Sequence, residues 1–204
     1  MSARAVRSAL HTLRRDLEAA RLGRDLLDDK REAILRSLLE RAPRHAAARD
    51  AAVAALDTAR RRLVAAAVES GPNAVAGAAL AQPPAAAVDW RPASVVGVPT
   101  PALTARIPAF APRYGAAPLT AELDRAGEDF SAAAAALVVF AEEEAAVRNL
   151  QLGLSRTIRR LRALEQVVIP GIERQRRAVA VAVEEDERDD TVRYRQADAL
   201  RRTS

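Results

Sequence analysis

Apolar residues recur every three or four positions through the first third of the chain, about residues 4–69. Leu10, Leu13, Leu17, Ala20, Leu27, Ile34 and Leu38 fall on one face with charged residues between them, the seam of an amphipathic or coiled-coil helix. Arg24 and Arg31 occupy seam positions and leave the stripe imperfect. Beyond Pro43 a second stripe runs through Ala52, Leu56, Ala59, Leu63 and Ala66, its companion row displaced by one residue. Proline has no amide hydrogen and its ring crowds the preceding turn, so a bend or break is expected near residues 41–44.

The pattern changes over about residues 70–118. Glu-Ser-Gly-Pro-Asn at 69–73 should stop the helix, because glycine and proline together break and cap it. Most of the prolines follow, with Trp90 and two extended-looking stretches, Ala93-Ser94-Val95-Val96-Gly97-Val98-Pro99 and Ala102-Leu103-Thr104-Ala105-Arg106-Ile107-Pro108. Proline within such runs confines them to edge strands or loops. The expectation is a small irregular insertion, partly a β-hairpin, with Trp90 anchoring it.

A third segment, about 119–204, returns to the heptad. Phe130, Ala133, Leu137, Phe140, Val147, Leu154, Ile158, Leu161, Val168 and Ile172 alternate through it, while Glu144, Gln151 and Glu165 interrupt one row. Pro170-Gly171 should bend this helix without ending it, and Val179, Ala182 and Val183 carry an apolar face into a charged tail. The expected fold is therefore all-α. N-terminal (1–69) and C-terminal (119–204) helices form a long antiparallel two-helix coiled coil, joined by the Ala/Pro-rich insertion (70–118). At 1.5 Å rise per residue such helices span on the order of 100 Å.

Composition supports a thin helical fold. The chain of 204 residues is 50% hydrophobic but only 3% aromatic, and alanine supplies much of the apolar content. Alanine has the best helix propensity but too little bulk for a thick globular core. Cysteine is absent, which removes disulfides, thiolate metal sites and cysteine nucleophiles. No run approaches the roughly 20 apolar residues of a membrane span, and the first residues lack a secretory core, so a soluble intracellular protein is expected.

The formal charge of +5 raises nucleic-acid binding as a reading. The basic residues are interleaved with Asp and Glu, however, which reads first as a salt-bridged helix surface. Lys30 is the only lysine. Arg156, Arg159, Arg160 and Arg162 have no interleaved aromatics, and a protein contact is favoured over phosphate. Glu142, Glu143 and Glu144 are consecutive on a helix, point in different directions and cannot build a metal cage; Glu144 is a candidate partner for an arginine across the seam. Gly71-Pro72-Asn73-Ala74-Val75-Ala76-Gly77 superficially suggests a phosphate loop but has no following Lys-Ser/Thr and no preceding strand. No catalytic residue, cofactor site or metal site is assigned.

Two stretches are more specific. Ala20-Arg21-Leu22-Gly23-Arg24-Asp25-Leu26-Leu27-Asp28-Asp29-Lys30-Arg31-Glu32 resembles the N-terminal signature of the V/A-type ATPase D-subunit family. Arg159-Arg160-Leu161-Arg162-Ala163-Leu164-Glu165-Gln166-Val167-Val168-Ile169-Pro170 is similar to that family's arginine-rich run into Ala-Leu-Glu-x-Val-Val-Ile-Pro, and Val96-Gly97-Val98-Pro99 resembles its middle strand. The order and spacing are those of the family.

The resemblance implies a non-catalytic central-stalk rotor component at the cytoplasmic face of a membrane. It would transmit torque between a nucleotide-binding ring of A and B subunits and an ion-translocating membrane rotor. The implied partners are the A, B and F subunits and a d/C-type socket, with no nucleic acid and no direct membrane insertion. The implied interface residues are Gly23, Leu26, Leu27, Asp29, Lys30, Arg31, Arg160, Leu164, Glu165, Val168, Ile169 and Pro170. By itself Asp28-Asp29-Lys30-Arg31 reads as a solvated helix face. A glycine at 23 costs about 1 kcal/mol in a helix interior relative to alanine, which suggests close packing or a contact there. Two rivals stand beside this reading. A γ-type shaft of an F-type ATPase would need a substantial α/β domain in the middle. A free-standing basic coiled-coil adaptor would show strongly salt-dependent DNA affinity.

Overall fold

The computed structural model describes residues 3–82, 86–115 and 120–202. The order is α1 (Ala3–Ser70), α2 (Pro72–Ala81), β1 (Ala87–Val95), β2 (Val98–Arg106), α3 (Ala121–Ala163), a π-helical turn (Leu164–Val168) and α4 (Ile169–Arg202). The expected start of the C-terminal helix near 119 falls at the edge of residues 116–119, outside the described residues. Long N- and C-terminal helices with one small antiparallel sheet between them are the fold expected from the sequence. The chain divides into two compact units, residues 33–154 and residues 1–32 with 155–204.

In the unit of residues 33–154, α1 and α3 pack antiparallel. Ile34 and Leu150, both fully buried, share a cluster with Val98. Arg41 reaches Glu143 at 2.8 Å, Arg62 reaches Asp129 at 2.7 Å, and Ala66 meets Leu123 in a second cluster. Between these points the buried residues are alanines: Ala52 and Ala59 on α1, Ala126, Ala133 and Ala146 on α3. Small side chains allow close helix approach, so contact is gained by proximity rather than by bulk.

Helix α1 continues through Pro43. The ring deprives the Leu39 carbonyl of its helical donor, but Leu39 and Pro43 are both exposed, so water can take that place. Gly71 ends the helix, with φ 86° and ψ 145°, a conformation essentially confined to glycine. The chain then forms α2, which the apolar pattern does not predict. Pro72 stands at its first turn, where a missing amide is harmless, and Ala78 packs back onto Ala66.

The hairpin follows from a two-residue turn, Val96-Gly97, in which both residues have positive φ, 53° and 69°. That is the requirement of a type I′ turn, whose twist matches the strands. Val95↔Val98 closes the turn and the register runs out to Ala87↔Arg106. In such a hairpin the closing pair exchanges both bonds and the pairs then alternate. Pro92, Pro99 and Pro101 all fall on the non-bonded pairs, so none removes a ladder hydrogen bond. Strand β2 lies along α3: the Leu103 amide donates to Glu142 Oε2 at 2.9 Å, and Asn149 Nδ2 donates to the Pro99 carbonyl at 3.0 Å. Trp90, expected to anchor the insertion, is instead 69% exposed on β1, because the α3-facing side of the hairpin is supplied by Val98 and Thr100 of the other strand.

One row of the α3 seam, Ala133, Phe140, Val147, Leu154 and Leu161, is buried or half-buried as expected, and the other differs by one residue from its expected place. Leu137, Glu144, Gln151 and Glu165 are exposed, whereas Leu150 and Thr157 are buried and Glu143 and Leu164 half-buried. The supposed interruptions at 144, 151 and 165 therefore lie beside the seam, not in it.

In the unit of residues 1–32 with 155–204, Leu17, Thr157 and Leu161 are buried. Arg21 reaches Glu173 at 2.7 Å. The junction of α3 and α4 is the π-helical turn, in which the Ile169 amide bonds the Leu164 carbonyl five residues back. Pro170 follows at once and offers no amide to the Gln166 carbonyl, so the ordinary i→i−4 ladder is interrupted at this point.

Candidate subunit interface

All of the interface residues inferred from sequence lie in the second of these units. Their placement follows from helix periodicity. On α1, Leu22, Leu26 and Asp29 stand at i, i+4 and i+7, and all three are exposed; Leu22 and Leu26 are 62% and 60% accessible. Gly23, Leu27, Lys30 and Arg31 are half-buried on the adjoining face. On the C-terminal side, Arg160, Glu165 and Val168 are exposed, while Leu164, Ile169 and Pro170 are half-buried.

The structure brings the two signature stretches together at one point, Gly23 beside Leu164. A Cβ built at position 23 would meet only Leu164 Cδ1, at 4.0 Å, which is ordinary contact. Packing within the chain therefore does not require glycine here. Two ion pairs of this stretch are local: Arg31 pairs with Asp28 at 2.8 Å, and Arg24 with Asp25. The Asp25 hydrogen bond and charge hold the Arg24 guanidinium above its usual pKa, so it is cationic at any physiological pH. The Arg31 Nε is buried with no partner atom of its own.

Val167, 65% exposed, belongs with these residues and is missing from the set inferred from sequence. The π turn exposes both Val167 and Val168, where an α-helical heptad would have placed 168 inward. The signal that could have found it is Pro170, three residues later, which interrupts the ordinary i→i−4 ladder here.

The glutamate triplet of the other unit resolves into three separate tasks. Glu142 accepts the Leu103 amide, Glu143 pairs with Arg41, and Glu144 lies 2.6 Å from His45 Nε2. The arginine across the seam thus belongs to Glu143, one residue before the expected Glu144. His45 also packs its ring against Phe140 at a centroid distance of 5.6 Å. Residues 71–77 form a helix cap and the start of α2, preceded by a helix. Among the described residues, no single helix is long and apolar enough to cross a membrane.

Comparison with known proteins agrees with the two signature stretches. A family described as the D subunit of ATP synthase matches residues 9–199. The D subunit of the V-type ATP synthase of Thermus thermophilus is 36% identical over 184 residues, 89% of this chain and 81% of that protein. The D subunit of the A-type ATP synthase of Methanopyrus kandleri is 32% identical over 196 residues, covering 95% and 84%. The D subunit of the V-type ATP synthase of Clostridioides difficile is 30% identical over 190 residues, covering 92% and 86%. The chain belongs to the ATP synthase D-subunit family, that of the D subunits of V-type and A-type ATP synthases.

Proposed function

We propose that the chain is the non-catalytic central-stalk rotor component of a V/A-type ATPase, carrying torque between the nucleotide-binding A/B ring and the membrane ion-translocating rotor. The A, B and F subunits and a d/C-type socket are its partners, and it works at the cytoplasmic face of the membrane. The observation that carries this reading is the meeting of the two family signatures at Gly23 and Leu164, with large apolar side chains left outside it. Leu22, Leu26 and Val167 are each at least 60% exposed. Exposed aliphatics grouped on ordered helices mark a protein contact. Gly23 adds to this, since it costs helix stability without serving intrachain packing.

A single asymmetric shaft inside a ring of like interfaces gives each interface different contacts. Nucleotide states that favour different contacts then shift the orientation of the shaft. The chemistry stays on the ring, and this chain supplies only the contact differences. Purification of the native complex through a tag on this chain tests the reading. Recovery of A, B and F subunits with ATPase activity is expected; recovery of the chain with unrelated proteins and no ATPase would refute it.

A further inference from the structure

Near the Gly71 end of the helix pair, four pieces of chain converge on one apolar cavity of about 190 Å³. Leu63 comes from α1, Val75 and Ala79 from α2, Phe110 and Tyr114 from the stretch after β2, and Phe130 from α3. Ala78 and Leu123, both buried, close the inner side. Gly127 sets one wall, because a Cβ there would collide with the Phe110 ring. Glycine weakens a helix interior, and here it lets that ring lie against α3.

None of the described residues lining the cavity is charged. The one polar side chain among them is that of Tyr114, whose hydroxyl already donates to Asp124 Oδ1. A water inside would find almost none of the polar partners it needs, and a charged group would lose its hydration without compensation. The walls therefore select an uncharged apolar guest, and the volume sets its size. Drug-sized ligands take about 300 Å³ or more, whereas an apolar cavity of about 150 Å³ takes up benzene. The space suits one ring with a small substituent. Phe110, Tyr114 and Phe130 supply the faces and edges against which an aromatic ring packs. We propose that this cavity is a binding site for a small, uncharged, single-ring aromatic molecule. Such a guest touches all four pieces of chain and fastens α2 and the Phe110 stretch to the long helices. The cavity is built from this chain alone and owes nothing to the rotor reading.

The test is fluorine NMR of fluorobenzene titrated with the full chain, alongside thermal unfolding with and without the probe. The wild type should shift or broaden the fluorobenzene line and melt higher in its presence, as a ligand of the folded state alone requires. Para-fluorobenzoate, the same ring with a carboxylate, should bind at least roughly tenfold more weakly, and fluoronaphthalene should not bind. Ala79→Leu puts a larger side chain at the exposed rim and should weaken fluorobenzene roughly tenfold with an unchanged circular dichroism spectrum. Phe110→Ala removes a wall and should admit fluoronaphthalene. A wild type that leaves the fluorobenzene line unmoved overturns the site. So does equal binding of fluorobenzene by the wild type and Ala79→Leu, or of para-fluorobenzoate and fluorobenzene by the wild type. Either would mark unspecific attachment to exposed aliphatics such as Leu80. Binding by the isolated chain that vanishes in the purified ATPase hands the cavity to a side chain of a neighbouring protein and overturns the small-molecule site as well.

Discussion

Val98, at the tip of the hairpin, rests directly on Gly153 of α3: a Cβ at position 153 would lie 2.7 Å from Val98 Cγ2. Val98 is fixed in turn by the fully buried Ile34 and Leu150, so it has no room to withdraw. The absence of one methyl group thus seats the hairpin on the helix pair. The neighbouring bond from Asn149 to Pro99 and the bond from Leu103 to Glu142 extend the contact along two further turns.

Gly153→Ala should therefore destabilise the chain despite alanine's helix advantage of about 1 kcal/mol. Overpacking costs about 1–3 kcal/mol, and a net loss of about 1 kcal/mol is expected in urea unfolding. The control is the double variant with Val98→Ala. In that background the clash is gone and Gly153→Ala should become neutral or stabilising. The same loss in both backgrounds would show that the contact is not the cause.

Val96 is a β-branched residue with φ 53° at the first position of the turn. The left-handed conformation costs a non-glycine residue about 1–2 kcal/mol, and asparagine tolerates it better. Val96→Asn should raise the urea midpoint by the equivalent of about 1 kcal/mol. No gain, or a loss, would mean that the half-exposed valine contributes more by packing than its backbone costs.

Tyr114 donates a hydrogen bond to Asp124 Oδ1 beside the cluster of Ala66, Ala78 and Leu123. Burial chiefly, and then the Asp124 carboxylate, push the phenol pKa above its ordinary value. The folded state thus holds this proton more tightly than the unfolded chain, where the phenol titrates near 10. The associated stability is fully present below that pH and is lost as pH rises beyond it. Stability of the wild type should fall above about pH 10, and Tyr114→Phe should flatten that fall while costing about 1 kcal/mol at neutral pH. Parallel pH profiles for the two proteins would contradict this.

Pro170 withholds an amide from the Gln166 carbonyl at the end of the π turn. Pro170→Ala restores the donor and removes the ring clash, changes that favour a helix by up to about 3 kcal/mol. Higher thermal stability of the isolated chain is expected. An α-helical path through 164–168 would also turn the residues beyond by about 100° and disturb the Arg21–Glu173 pair. Incorporation into the ATPase should therefore decline even as thermal stability rises. Improvement in both measurements would mean that the π turn has no part in assembly.

Much of this architecture is legible in the sequence because it is periodic. Every seam position named on α1 from Leu10 to Leu38, the two arginines included, is buried or half-buried, and so are Ala52, Leu56, Ala59, Leu63 and Ala66. On α3 the row of Ala133, Phe140, Val147, Leu154 and Leu161 is also buried or half-buried, and the other row lies one residue from its expected place for a specific reason. The rows 143-150-157 and 144-151-158 are adjacent on the helix surface, and both contain apolar and polar members. Ile158 favours one row and Leu150 the other. Only the facing helix and the hairpin tip decide between them, since Arg41 neutralises Glu143 and Val98 covers Leu150. The candidate interface is legible as two contiguous motifs, but their exposed members depend on the π turn, which no heptad count contains.

The sequence by itself determined the long helices, the interruption at Gly71-Pro72, the hairpin stretches and the family, because these depend on local propensity, repeat spacing and contiguous motifs. Only the tertiary structure decided that Glu142, Glu143 and Glu144 serve three different partners, that Trp90 faces outward, and that Gly153 makes room for Val98. Those outcomes depend on which side chains from distant parts of the chain occupy the same few ångströms. A one-residue shift in the phase of α3, about 100°, would change the glutamate partners and the Gly153 contact without altering a single propensity.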